Sequence, residues 1–474
     1  MHRLPSSRRR TSVAAIALVA IGIAASTVGG TAATPASAAN GPDIGIVCTT
    51  GTANGNAKSF EMTTDHDYIN LPDGNTVYMY GYKMVGAHFQ HPSPVLCVNE
   101  GDTVTISLTN TLKRPVSMVF PGQTEVQANG APATPEFATP GDATTLTSLT
   151  QSAPANGGTV TYSFTADHPG TFLYESGTDP DVQVRMGLFG ALVVRPTAGA
   201  DHANNRPDSQ FTTVANSPQA AGCGPTTYVC GGANNTEEFM VLLSEIDPYL
   251  NQAIERVDGN RSSNYSLDNY HPRYWLVNGR GFPDSIADNN ASWLPNQPYG
   301  ALAEVRPSDA PGIPPLGHPY GGLARYLNVG TETYPFHPHG NNGKVIARDG
   351  NPLEGAGGAD LSYEKFAIDI GPGQTYDVLF RWYDAEHYSE TDPVPVALPQ
   401  VANQVFGMFY SGSPYLGVTG PQPPGNQSLN QCGEYYIISH NHALYQITSW
   451  GVNMTGPITY MRIDPDPAQT TCPQ

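Results

Sequence analysis

The sequence predicts an all-β protein built from two successive β-sandwich modules, and three features of its 474 residues point there. Fifty Gly and 43 Pro break helices and mark turns, while 25 Tyr among many Val and Thr suit short strands. Runs with strand character recur between clusters of Gly, Pro, Asn and Asp. Similar turn-plus-strand punctuation appears twice, as EGDTVTISLTN at residues 100–110 and GPGQTYDVLF at residues 371–380. With 39% apolar and 13% charged residues and a net charge of −19, the chain is unlike a coiled coil or a multi-span membrane protein. The acidic balance also disfavours nucleic acid and anionic membranes as partners.

Residues 1–38 read as an export signal. Arg8, Arg9 and Arg10 open it, an apolar stretch covers 13–25, and Ala36-Ser37-Ala38 offers a small-residue cleavage site. The apolar stretch is shorter than the roughly 18 to 20 residues that span a bilayer, so a secreted or otherwise extracytoplasmic chain with no membrane span is expected. The Sec route serves this signal. The paired arginines admit the twin-arginine route too, although Thr11 and Ser12 stand where apolar residues usually follow.

Residues 39–198 form the first predicted sandwich, with strands at 76–82, 103–108, 159–164 and 190–194 in antiparallel order. Residues 199–237 turn to Asn, Gly, Pro and Ser and read as a linker or excursion. A second β module follows over 238–474, with strands at 239–244, 274–277, 323–329, 345–347, 376–380, 435–438 and 460–463. The six cysteines of an exported chain argue for disulfides, and 15 pairings are open to them. Module membership suggests Cys48 with Cys97, Cys223 with Cys230, and Cys432 with Cys472.

Two stretches of the second module carry chemistry: TYPFHPHGNNGKVIARDG and GEYYIISHNHALYQITSWG. Each contains His-x-His, at His337/His339 and at His440/His442. Residues two apart in a strand project to one face, so each pair can present two imidazoles to one ion. Chance spacing of the histidines would give roughly 0.4 such pairs, so two are notable. Imidazole-only sites suit copper or zinc. The alternative is structural: turn residues beside Pro338, and hydrogen-bonded caps on a sheet at His440 and His442. His66, His168, His271, His318 and His387 read as surface or hydrogen-bonded residues, and His88 and His91 as structural, since their spacing does not put them on one strand face.

Taken together these segments resemble the multicopper oxidases, in particular a two-domain cupredoxin type. The stretch at 92–112 is similar to the family's strand before its first histidine motif, and the stretch at 170–194 to the one holding its second. Residues 275–284 resemble its Asn-Gly strand, and the two histidine stretches fall where it places its last two copper motifs. The resemblance implies two cupredoxin-like Greek-key sandwiches and copper as cofactor, with zinc as the alternative. It also implies ligands lost: Val119 and Pro121, and Glu175 and Gly177, stand where the first domain would carry its two histidine pairs. The blue-copper positions become Tyr334, Asn441 and Gln446, with Met454 nearby, and Asn441 cannot supply a thiolate.

Only His337, His339, His440 and His442 survive. The resemblance thus implies a secreted protein holding one copper ion at these four residues, an oxidoreductase without a blue site if it is active, with a small-molecule reductant or O₂ as its partner. Glu175 is a further oxygen donor or base by position. A homo-oligomer is implied by resemblance alone. The competing expectation is a metal-free scaffold that uses its surface for protein or envelope interactions.

Overall fold

The computed structural model describes residues 45–139, 141–195, 238–305, 322–339, 342–356, 359–380 and 435–463. The export segment, the linker, Cys223, Cys230, Cys432, Cys472, His318 and His387 lie outside the described residues. Among the described residues, no helix is long and apolar enough to cross a membrane.

The fold is all-β. In the amino-terminal half a seven-stranded sheet runs in the order Thr52–Asn54, Ala57–Asn70, Thr103–Asn110, Gly158–Thr165, Gln127–Ala128 and Ala131–Pro132, with Thr76–Met84 pairing on Ala57–Asn70. A three-stranded sheet of Gly170–Glu175, Phe189–Arg195 and Leu96–Asn99 faces it. Strand period two supplies the core: Val104, Ile106 and Leu108 are buried from one strand, Val160, Tyr162 and Phe164 from the next, and Phe172, Tyr174, Leu192 and Val194 meet them from the other sheet.

The carboxy-terminal half repeats the plan. One sheet is centred on Thr375–Phe380, Gly322–Asn328, Glu238–Ile246 and Tyr274–Val277. The other orders Ala303–Val305, Ile458–Ile463, Tyr435–Asn441, Tyr334–Pro338 and Ile368–Ile370. A purely antiparallel sandwich was the expectation, and this is corrected. Ala57–Asn70 runs parallel to Thr103–Asn110, Phe189–Arg195 to Leu96–Asn99, Glu238–Ile246 to Gly322–Asn328, and Ala303–Val305 to Ile458–Ile463. Each of these pairs is joined by a long excursion instead of a hairpin, the only way chains can pair parallel.

Two strands explain why 190–194 and 239–243 are continuously apolar. Leu192 and Val194 enter the first core, while Ala191 and Val193 turn to a second cluster shared with Met240, Leu242, Leu327 and Val329. From Glu238–Ile246, Phe239, Val241 and Leu243 enter the carboxy-terminal core on the opposite side. Both strands are buried on two faces, so the halves are welded by apolar packing, and alternation is absent because neither face meets water.

Charge crosses the same seam. The fully buried Arg325 donates to Asp377 at 3.0 Å and to Thr171 at 2.9 Å, and its Nε lies against Glu238. Glu238 also takes Arg195 at 2.7 Å. Burial alone would raise the Glu238 carboxyl, but Arg195 and Arg325 overcome it and hold the group down at about 2. The expected Cys48–Cys97 disulfide is formed, with the Cα atoms 5.5 Å apart.

Helix Pro248–Asp258 was not expected from the all-β pattern. Its signals are nonetheless in the sequence: Asp247 caps the Tyr249 amide at 3.0 Å, Pro248 occupies the first turn, and Gly259 follows the last. Leu250 and Ile254, one turn apart, dock into the amino-terminal core.

Candidate metal site

The four histidines gather on one face of two neighbouring antiparallel strands. Tyr334–Pro338 pairs with Tyr435–Asn441 so that His337 stands directly opposite His440, with Phe336 opposite Asn441 and Pro338 opposite Ser439. The backbone continues the pairing beyond the strand ends, through the His339 amide to Ile438 O at 2.9 Å and the His442 amide to Pro335 O at 2.8 Å. Since side chains alternate, His337, His339, His440 and His442 share one face, while Phe336, Pro338, Ser439 and Asn441 are buried on the other. Ring centroids lie 4.7 Å apart for His337/His339, 5.0 Å for His339/His440, 5.2 Å for His337/His442, 5.6 Å for His440/His442 and 5.8 Å for His337/His440.

Hydrogen bonds set which nitrogen each ring offers. His337 Nδ1–H donates to the Phe366 carbonyl at 2.5 Å, and His440 Nδ1–H to the Asn441 carbonyl at 2.8 Å, as assigned from the donors and acceptors available. Both Nε2 atoms are then free of protons. His440 Nε2 lies 3.0 Å from His339 Nε2, so His339 must carry the shared proton there. Burial, followed by the neighbouring imidazoles, lowers His339 to about 4, and burial lowers His440 as well. Both are therefore neutral near pH 7, the form in which imidazole binds metal.

This donor set fits copper. Four imidazoles are borderline-soft ligands of the type Cu(II) favours, and carbonyl-oriented Nδ1–H groups are the usual outer support of metal-binding His. Among the described residues no three His, Cys, Asp or Glu side chains are drawn into a finished coordination shell. The rings are gathered, with only the His339/His440 nitrogens at contact distance.

The remaining positions of interest are filled by other chemistry. Val119 and Glu175 form an isolated antiparallel bridge, with amide–carbonyl distances of 2.8 and 3.1 Å. Burial raises the Glu175 carboxyl, and no hydrogen bond among the described residues joins it to the four histidines. Gly177 leaves no room for a side chain: a Cβ there would sit 2.7 Å from Val119 Cγ1. Around it, Ser117, Ser148 and Thr178 bond one another through their hydroxyls at 2.9 to 3.0 Å, a small polar plug in a buried place. Near the histidines, Asn441 donates to Gln446 Oε1, and Gln446 Nε2 donates to Glu332 at 2.5 Å. Tyr334 donates to Glu245 at 2.6 Å, and Met454 lies on an exposed turn.

Sequence reasoning missed Phe366 and Glu332. Phe366 acts through its backbone carbonyl, which no side-chain pattern signals. Glu332 accepts Trp275 Nε1 at 2.9 Å as well as Gln446, and it sits two residues before the Tyr-Pro-Phe-His run, where a buried-partner carboxylate has no signature of its own. His91 is buried as expected of a structural residue, with its ring 5.3 Å from Phe189 and neither ring nitrogen hydrogen-bonded.

Residues 74–199 match the family model of the multicopper oxidases. An L-ascorbate oxidase of Cucurbita pepo var. melopepo is 34% identical over 117 residues, which is 24% of this chain and 19% of that protein. The iron transport multicopper oxidase fetC of Epichloe festucae is 33% identical over 134 residues, 28% of this chain and 19% of that protein. The chain thus spans about a fifth of the length of the curated relatives it matches. Among solved structures, the blue copper oxidase of Nitrosomonas europaea is 16% identical and similar over 86% of each chain with a TM-score of 0.50, a likeness of fold. Residues 74–199 thus carry the likeness to the multicopper oxidases, and the described residues share a cupredoxin-type all-β fold with that solved structure.

Proposed function

We propose that this is an exported copper protein that holds a single copper ion at His337, His339, His440 and His442. The observation that carries the reading is the register of two strands, which sets His337 opposite His440 and puts all four imidazoles on one face. In the superfamily such a metal supplies one-electron redox chemistry, Cu(II) to Cu(I), so a copper-dependent oxidoreductase taking electrons from a small-molecule reductant is the activity proposed. The chain's own part is definable at the atom level. Phe366 and Asn441 carbonyls hold the Nδ1–H groups of His337 and His440, turning their Nε2 lone pairs outward, and His339 would move its proton from Nε2 to Nδ1, staying neutral, to offer its Nε2 as a ligand. Asn441 stands in the sheet position between two of these ligands with an amide where a thiolate would be needed, so no blue site is part of this proposal.

Calorimetric titration of the chain with Cu(II) at pH 7 tests it. One equivalent should bind with little proton release from His339 and His440, because both are already neutral and opening their hydrogen bond only moves the His339 proton to its Nδ1. Absence of saturable heat would overturn the reading and favour the second one, a metal-free scaffold. That alternative has a specific observation in its favour: the His339/His440 nitrogens, the Asn441/Gln446 amides and the Ser117/Ser148/Thr178 hydroxyls are already satisfied by one another. Zinc binding in place of copper would show as preference in competition between the two ions.

A further inference from the structure

A cavity of about 260 Å³ opens between the hairpin of Ala57–Asn70 with Thr76–Met84 and the helix Pro248–Asp258. Its walls carry five aromatic rings: Tyr68, Tyr78, Tyr249, Tyr274 and Trp450. They meet at angles, with centroids 5.7 Å apart for Tyr68/Tyr78, 5.7 Å for Tyr249/Trp450 and 6.0 Å for Tyr274/Trp450. Inclined rings present faces to the space between them, where flat stacking would close it. No Lys or Arg lines the cavity among the described residues, whereas the carboxylate of Glu255 does.

Three of the phenols lean on carboxylates. Tyr68 donates to Glu255 at 2.6 Å, Tyr78 to Asp258 at 3.0 Å and Tyr274 to Asp73 at 2.8 Å. A phenol O–H given to a carboxylate pushes electron density back into its ring, which makes the negative face of that ring more negative. Such faces attract cations, most strongly alkylammonium ions that shed their water easily. The Arg273 guanidinium, 5.9 Å from the Trp450 centroid, shows that this ring already draws positive charge. One further group asks for a donor: Asn251, 1% exposed and lining the cavity, gives its side-chain N–H to Tyr78 O at 2.8 Å, while its side-chain oxygen has no partner.

We propose that this cavity is a cage for a small organic ammonium ion of choline size, with the rings around the cationic head, Glu255 as counter-charge and Asn251 Oδ1 accepting a hydroxyl or N–H from the ligand. At about 30 Å³ for a water-sized group, the space suits a ligand on the order of ten non-hydrogen atoms. The site is separate from the histidine cluster and uses none of its residues.

The test is titration of the full chain with choline chloride at ionic strength fixed with sodium chloride, beside its neutral isostere 3,3-dimethylbutan-1-ol and beside glucose. Choline should saturate one site, the isostere should bind about tenfold more weakly or not at all, and glucose should not bind. Trp450→Leu and Tyr249→Leu, both at exposed rings, should each weaken choline about tenfold, and Glu255→Gln several-fold, while His337→Ala leaves it unchanged. The proposal is overturned if choline does not saturate, if the isostere or glucose binds as well as choline, or if both ring variants bind choline like the parent.

Discussion

His339 and His440 meet nitrogen to nitrogen at 3.0 Å, and a proton sits where an ion is proposed. Burial and neighbouring rings hold His339 at about 4, so its neutral form persists well below the ordinary range for histidine. Metal binds that neutral form, and protons compete only once they can charge it. Proton competition at His339 should therefore set in only as pH drops towards 4, and copper still bound at pH 5 should be lost there, which equilibrium dialysis at stepped pH will read. A second residue makes a separate prediction. His91, 1% exposed and without a hydrogen bond on either nitrogen, is pushed down by burial to about 3. The folded chain disfavours its charged form, so its contribution is fully present above about pH 6.5 and is lost at about 1.4 kcal/mol per pH unit as pH falls from there to about 3. Urea denaturation of His91→Phe at pH 6 and pH 4 should show a smaller loss of stability than the parent. Equal losses would mean that His91 is not the acid-sensitive group.

At the scale of strands, the seam between the halves depends on Phe189–Arg195 and Glu238–Ile246, each buried on both faces. Leu242, wholly buried in the shared cluster, should cost about 2 to 5 kcal/mol on truncation to Ala. Removing one partner of the buried Arg325 network costs a comparable amount for a different reason. Glu238→Ala leaves a dry guanidinium short of countercharge, at about 3 to 5 kcal/mol by chemical denaturation. The Glu238 carboxyl, held at about 2 by Arg195 and Arg325, adds stability above the ordinary carboxylate pKa that is lost progressively as pH falls from there to about 2. These strands were the most legible part of the sequence, because uninterrupted Val, Leu and Ala runs bounded by turns have few other uses. Ala57–Asn70 was not legible: its first half alternates through Phe60 and Met62, but Asp65, His66 and Asp67 break the period where the strand passes into solvent. The parallel pairings were hidden too, since strand direction is decided by distant crossovers and leaves no local mark.

Across the whole molecule, the His-x-His spacing suggested same-face pairs, but the expected strands stopped at 438 and included none over 334–338, and the sequence could not say that the two segments are neighbours in register. That fact comes from sheet order, with Tyr334–Pro338 and Tyr435–Asn441 about a hundred positions apart in the chain and side by side in space. Nor could it show that the Gly177 region is closed by a hydroxyl plug, since Ser117, Ser148 and Thr178 converge only in three dimensions. One optical consequence follows for the intact protein loaded with copper. With Asn441 donating its amide N–H to Gln446 and no thiolate beside the histidines among the described residues, the strong band near 600 nm, an approximate position for thiolate–copper sites in general, should be missing. The most direct measurement is elemental analysis of the chain purified from an exporting host supplied with copper, beside His337→Ala and His440→Ala. About one copper per parent chain, with most of it gone from both variants, is expected. The same metal content in all three proteins would contradict a shared four-imidazole site.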